Sequence, residues 1–172
     1  MTVAVLGSIN MDVIAYSARL PRPGETIHGT SYRTGLGGKG ANQAAAVARL
    51  GARVAMIGRV GGDGFGAQAL SELASHGVDT AAVSRDANSA TGIALIGVGE
   101  GGQNVITVIA GANAAVGADD VARAAVILGA ARAVLLQLEV PVAASLAAAA
   151  KVRASGGIAI LDPVPALPSG LP

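Results

Sequence analysis

Short apolar, β-branched runs alternate with longer Ala-rich segments along this chain, and the alternation sets the expected architecture. Residues 3–6 (Val3, Ala4, Val5, Leu6) form a continuous apolar run, the pattern of a parallel strand buried on both faces. Residues 53–58, 133–138 and 158–161 repeat the pattern. Helices are expected between them. Residues 41–50 are nearly all small and apolar, with Gly51 placed to end the helix. Asp63 can cap the next helix, in which Phe65, Ala69, Leu70 and Leu73 fall at helical spacing before Gly77 stops it. Residues 119–128 and 142–153 read as two more, ended by Gly129 and Gly156, with Pro141 suited to a first turn. Strand–helix alternation of this kind predicts an α/β fold, a parallel sheet of about four strands with helices on its faces.

Two regions interrupt the rhythm. Residues 12–33 and 91–109 read as extended hairpins that turn at Pro21, Pro23 and Gly24 and at Gly99, Gly101 and Gly102. They predict a small accessory β-sheet, a lid, projecting from the α/β body. The exposed face of such a sheet needs a cover, either a ligand beneath it or a second copy of itself. The chain closes on Pro163, Pro165, Pro168 and Pro172, a loop following a strand. The sheet is small for its class, so the expectation is a single α/β unit, residues 1–172, cut at a crossover connection.

Composition narrows the function classes. Apolar residues make up 52% and charged residues only 13%, so a core is assured and the surface is lean in charge. A net charge of +1, with the basic residues scattered, gives no electrostatic case for nucleic acid or an anionic membrane. The absence of cysteine excludes disulfides, thiolate nucleophiles and Cys-based metal sites. His28 and His76 lack metal-ligand spacing. With no basic leader segment and no membrane-length apolar run, a cytoplasmic location is expected.

Ligands of open α/β sheets bind beyond the carboxyl ends of the strands. The first strand runs into Gly7-Ser8-Ile9-Asn10-Met11-Asp12 and the third into Gln137-Leu138-Glu139, so Asn10, Asp12 and Glu139 are expected to face one crevice. Two carboxylates and a carboxamide there suit the hydroxyls of a small polyol; the competing reading is helix capping or pairing with Arg59. Asp162, at the end of the fourth strand, ranks below these. The run Gly35-Leu36-Gly37-Gly38-Lys39-Gly40-Ala41-Asn42-Gln43 opens a helix, whose free N–H groups are expected to point at a ligand. It formally matches a dinucleotide fingerprint but does not follow the first buried strand, and Gly40 stands where a Walker loop needs Ser or Thr. Lys39 at the loop mouth could bond a hydroxyl or be merely solvated, and Asn42 is expected to face the same crevice. Asp119 and Asp120 read as a helix cap.

These residues resemble a known family. Gly7-Ser8-Ile9-Asn10-Met11-Asp12, Pro23-Gly24-Glu25-Thr26 and Gly37-Gly38-Lys39-Gly40-Ala41-Asn42-Gln43-Ala44 are similar to the opening of PfkB sugar kinases, and within them to the ribokinase type. Gly61-Gly62-Asp63-Gly64-Phe65-Gly66, Thr91-Gly92-Ile93-Ala94, Ala110-Gly111-Ala112-Asn113 and Leu136-Gln137-Leu138-Glu139 agree in the same order. The resemblance implies a Rossmann-like body with helices on both faces and a β-sheet lid that often pairs with a second lid in a homodimer. It implies ribose binding by Asn10, Asp12, the loop Gly38, Lys39, Gly40, Ala41 and Asn42, and Glu139. It implies transfer of the γ-phosphate of Mg-ATP to the ribose 5-hydroxyl, assisted by a monovalent cation such as potassium. Family chains are nearly twice as long, and their C-terminal half holds the ATP pocket, the catalytic aspartate and the cation site. No catalytic base is therefore expected in this chain, and turnover by it alone is not expected; a sugar-binding module without catalysis, or a kinase for another sugar or a nucleoside, are the alternatives.

Overall fold

Thr2–Leu6 forms β1, the middle strand of a five-stranded parallel sheet, and its residues from Val3 onward are no more than 5% exposed. The computed structural model describes residues 2–166. After β1 come β2 (Asn10–Ser17), β3 (Ser31–Gly37), α1 (Lys39–Arg49), β4 (Arg53–Gly61), α2 (Gly64–Ser75) and β5 (Asp79–Asp86). Then follow β6 (Gly92–Gly99), β7 (Asn104–Ile109), a 3-10 turn (Gly111–Ala115), α3 (Ala118–Arg123), α4 (Ala125–Ala130), β8 (Ala133–Leu136), α5 (Val142–Ala154) and β9 (Ile158–Leu161). The main sheet runs β5-β4-β1-β8-β9. Side-chain alternation along β1 feeds two cores. Ala4 and Leu6 join Ile57, Val134 and Leu136 under α3, α4 and α5, where Leu128, Ala148 and Val152 pack. Val5 joins Val54, Met56 and Val60 under α1 and α2, where Ala41, Ala44, Ala69 and Leu73 pack. The helices thus cover both faces, as the alternation predicts.

The lid is a second sheet, of order β3-β2-β6-β7. Its two hairpins are antiparallel within themselves and join through a parallel pairing of β2 with β6. Gly99 and Gly102 close the β6–β7 turn through backbone bonds of 2.9 Å. Val105, Ile106, Val108 and Ile109 of β7 are left exposed.

Several expectations are corrected. The sheet has five strands, because Asp79–Asp86 pairs in parallel with β4 at one edge. The single helix expected over 119–128 is two, separated at Ala124, whose ψ of 8° departs from helical values; Val121 before it and Leu128 after it both stay buried. Gly129 lies inside α4 and does not end it. Pro141 is the residue before α5 and not its first turn. Gly35, Leu36 and Gly37 belong to the end of β3, so the glycine loop shrinks to Gly38. Asp63 caps α2 as expected, accepting from Gly66 N at 2.8 Å. Among the described residues no helix is long and apolar enough to cross a membrane.

Candidate functional site

The carboxyl ends of β1 and β8 and the start of α1 meet at one carboxylate. Ser8, which follows β1, donates from Oγ to Glu139 Oε2 at 2.6 Å, and the Lys39 backbone N–H reaches the same oxygen at 3.0 Å. The Lys39 ammonium lies 3.1 Å from Glu139 Oε1. Burial alone would push the Glu139 carboxyl up, but the bonds from Ser8 and Lys39 outweigh it and hold the group below its ordinary value. Lys39 is therefore ion-paired at the crevice mouth, not freely solvated.

The chain reaches α1 through Gly38, whose φ of 89° is open to glycine and strained for other residues. A Cβ there would also come within 2.8 Å of the Ser8 carbonyl oxygen and 2.9 Å of the Asn10 nitrogen. The first-turn N–H groups of α1 are all engaged by the protein. Lys39 N bonds Glu139, Gly40 N bonds Ser8 Oγ at 3.4 Å, and Ala41 N bonds the Ser8 carbonyl at 3.0 Å. The expectation that this helix aims free N–H groups at a ligand is corrected. The loop offers a bare glycine surface and the Lys39 side chain, while Gly40 and Ala41 are buried beneath it. Asn42 is exposed, and its side chain makes no hydrogen bond among the described residues.

The lid strand β2 supplies the other wall. Asn10 and Asp12, two residues apart, share one face of the strand. Asn10 is buried, and its Oδ1 accepts from Asn113 Nδ2 at 2.7 Å. It lines a cavity of about 310 Å³ with Ser8, Val108, Ala110, Asn113 and Glu139. Asp12 lines a separate cavity of about 290 Å³ with Ile14, Arg33 and Thr34. Its carboxylate leans over Gly37, where a Cβ would sit 2.0 Å from Oδ1. Among the described residues Asp12 has no hydrogen-bond partner. Burial pushes its carboxyl up, and the nearby Glu139 carboxylate pushes it the same way.

The alternative pairing with Arg59 is not what occurs. Arg59 Nε donates to Asp120 at 2.8 Å and its Nη1 to Asp86 at 3.1 Å. Asp120 is fully buried, accepts from Gly117 N at 2.9 Å at the start of α3, and also holds Arg123 and Ser84. The cap read from Asp119 and Asp120 thus belongs to Asp120, which doubles as an ion-pair hub. A larger cleft of about 710 Å³ lies beside this hub, but Arg59 and Arg123 on its walls are already paired with carboxylates. Asp162 is exposed and lines neither crevice cavity.

The structure therefore places Asn10 and Glu139 on one cavity, pairs Lys39 with Glu139, puts Asp12 on a second cavity within range of the Glu139 charge, and leaves Asn42 exposed on α1. Reading strand ends missed Ser8 and Asn113, which hold Glu139 and Asn10 respectively. It also missed Gln137, fully buried, whose Nε2 donates to Gln43 Oε1 at 2.6 Å and ties β8 to α1. The sequence signal for them was position alone, inside Gly7-Ser8, Gly111-Ala112-Asn113 and Leu136-Gln137. Chemically, the crevice combines acceptors of two carboxylates with donors of an amide and an ammonium, which suits vicinal hydroxyls. Among the described residues no three His, Cys, Asp or Glu side chains are grouped to hold a metal ion.

A family model described as pfkB family carbohydrate kinase matches residues 1–171. The chain is 41% identical over 165 residues to the ribokinase of Mus musculus, covering 96% of this chain and 51% of that protein. It is 37% identical over 167 residues to the deoxyribokinase of Salmonella typhi, covering 97% of this chain and 55% of that protein. Among solved structures, the Arabidopsis thaliana ribokinase complexed with ribose and ATP superposes with a TM-score of 0.84 at 36% identity, over 94% of this chain and 53% of that one. The chain thus spans about half the length of the relatives it matches.

Proposed function

The chain belongs to the pfkB family of carbohydrate kinases, and from that premise we propose that it is the sugar-binding part of a ribokinase-type enzyme. The proposed reaction of the whole protein is ATP-dependent phosphorylation of D-ribose to ribose 5-phosphate. The observation that carries the reading is that Asn10 and Glu139, the carboxylate paired with Lys39, line one cavity, while Asp12, two residues along the same strand and close enough to feel the Glu139 charge, lines a second. A pentose needs several hydrogen-bond partners of both signs in a small volume, and this crevice holds them. In this reading Asp12, unpaired among the described residues, accepts from ribose hydroxyls, and Asn10 and Lys39 donate to their oxygens. Gly38, Gly40, Ala41 and Asn42 form the floor and rim, and Glu139 both anchors Lys39 and offers an oxygen edge.

Magnesium, ATP and a monovalent cation are assigned to the whole enzyme and not to these residues. Turnover by the 172-residue chain alone is not expected, since it spans about half the length of the relatives it matches. The exposed apolar residues Val105, Ile106, Val108 and Ile109 of β7 support a homodimer in which two lids cover each other; a cytoplasmic location is part of the same proposal. Similarity to a deoxyribokinase at 37% identity supports 2-deoxyribose as the alternative substrate; a sugar-binding module without catalysis is the alternative from another class.

The test is competition calorimetry with ribose, 2-deoxyribose, fructose and adenosine, together with ADP release in Mg-ATP, potassium and ribose. Ribose preferred without turnover is expected. A preference for adenosine, or no sugar binding, would overturn the substrate assignment. Ribose-dependent ADP release would overturn the statement that this chain does not turn over by itself.

A further inference from the structure

We propose that Asn113 is a positioning residue that fixes which end of the Asn10 amide faces the crevice, an inference that rests on reading the crevice as a sugar site. The orientation follows from backbone chemistry. The Ile9 N–H can only donate, and it reaches Asn113 Oδ1 at 2.9 Å. The Ile9 carbonyl can only accept, and it takes a bond from Asn113 Nδ2 at 3.1 Å. These two contacts assign the oxygen and nitrogen of Asn113 without ambiguity. The second N–H on that nitrogen reaches Asn10 at 2.7 Å and needs an acceptor, so Asn10 turns its oxygen toward Asn113. The Asn10 NH₂ group, which makes no bond among the described residues, is left to the cavity wall.

The pair is enclosed. Asn113 is 1% exposed and Asn10 5% exposed, so water is poorly placed to replace either bond. Gly92 faces Asn10 in the β2–β6 register. A Cβ on Gly92 would come within 2.3 Å of both Asn10 Oδ1 and Asn113 Nδ2, and its absence makes room for the amide pair. Asn113 lies in the turn that leaves the lid after β7, whereas Asn10 opens β2. The contact therefore joins the start of the lid to its exit.

The consequence is a donor at Asn10 set against the Glu139 carboxylate across the cavity, with the Asp12 carboxylate two residues along the same strand. One sugar hydroxyl can then accept from Asn10 and give its single hydrogen to a carboxylate. An inverted Asn10 would remove that donor and add a third acceptor beside Asp12 and Glu139, leaving the Lys39 ammonium, already paired with Glu139, as the donor, and one hydroxyl hydrogen cannot serve two acceptors.

The test uses Asn113→Asp, which keeps the acceptor for Ile9 N–H and deletes both donated bonds, inviting Asn10 to turn its NH₂ inward. Ribose affinity of the 172-residue chain is measured for the wild type, Asn113→Asp, Asn10→Ala and the double variant. Each single change is expected to weaken binding roughly tenfold, in line with loss of one or two hydrogen bonds. The double variant is expected to bind no more weakly than Asn10→Ala, since Asn113 acts through Asn10. A double variant weakened by the product of the two single effects would show Asn113 acting independently and overturn the inference.

If Asn113→Asp does not fold, nitrogen-edited NMR of the wild type decides. Asn113 side-chain protons protected from exchange, with Asn10 side-chain protons in exchange with water, support the orientation; the reverse pattern overturns it. The supporting NMR pattern in a chain that gives no ribose heat would preserve the positioning and refute the sugar assignment, so the two failures are separable.

Discussion

Asp63→Ala probes the joint between lid and body, and its cost can be worked from the contacts. Asp63 caps α2 through Gly66 N at 2.8 Å. It also accepts from Thr91 N at 2.8 Å and from Thr91 Oγ1 at 2.6 Å, one residue before β6 enters the lid. Thr91 is 2% exposed, and its Oγ1 in turn accepts from the buried Gly61 N at 2.9 Å. Burial pushes the Asp63 carboxyl up, and the Thr91 and Gly66 bonds overcome that to leave it below its ordinary value. Loss of an N-cap costs about 1 kcal/mol. A hydrogen bond to a charged acceptor is worth roughly 1.5–3 kcal/mol, and the two from Thr91 share one carboxylate and do not add fully. The expected loss for Asp63→Ala is about 3–4 kcal/mol, and for Asp63→Asn, which keeps an acceptor, about 1–2 kcal/mol. Urea denaturation of the purified chain measures this as a lower midpoint at unchanged slope. Amide exchange should accelerate at Ile93 and Ala94 more than at Val134 and Leu135. A loss under about 1 kcal/mol for Asp63→Ala, against the cap and Thr91 contributions above, would refute the reasoning. So would exchange that speeds equally in both places.

Four further outcomes follow from other contacts. Gly7→Ala would place a Cβ 1.9 Å from Gln137 Oε1 and 2.9 Å from the Gly40 Cα, so a loss of about 2–3 kcal/mol is expected from a thermal melt; an unchanged melting temperature would contradict this packing. Glu139, Asp63 and Asp120 are held below ordinary carboxylate values, so their stabilisation is present above about pH 4 and is lost as pH falls through their folded values. Asp12 is shifted the other way, and its stability contribution is lost as pH rises through its folded value; Asp12→Asn should therefore stabilise the chain more at pH 7 than at pH 3.5, and an equal effect at both would show no shift. If lids pair through β7, Ile106→Asp should convert a dimer to a monomer in analytical ultracentrifugation, and a wild type that is monomeric at high concentration would contradict the pairing.

The parts of the fold that were legible in the sequence were those with undivided physical demands. β1, buried on both faces, needs an unbroken apolar run and has one. The Asp63 cap and the positive-φ residues Gly51, Gly77 and Gly156 ending α1, α2 and α5 are local rules. β5 was missed because an edge strand satisfies fewer demands: Asp79, Thr80, Ser84, Arg85 and Asp86 leave only Ala81, Ala82 and Val83 as an apolar signal. The break at Ala124 was missed because no Gly or Pro marks it. In the candidate site, strand-end logic led to Asn10, Asp12 and Glu139 as candidates. It could not foresee that Ser8 and Glu139 consume the first-turn N–H groups of α1, because that depends on residues 32 to 131 positions apart meeting in three dimensions. Asn113 was invisible for the same reason, since its partners Ile9 and Asn10 lie more than 100 residues away.

The claim that this crevice is a sugar site rests most directly on Asp12, the one crevice carboxylate with no protein partner among the described residues. Titration calorimetry of ribose into the wild-type chain and into Asp12→Ala tests it. A saturable ribose heat in the wild type, weakened at least tenfold in a variant that melts no lower, is the predicted result, as expected when a charged hydrogen-bond acceptor is removed. Ribose binding of equal strength in both chains would contradict the assignment of the crevice.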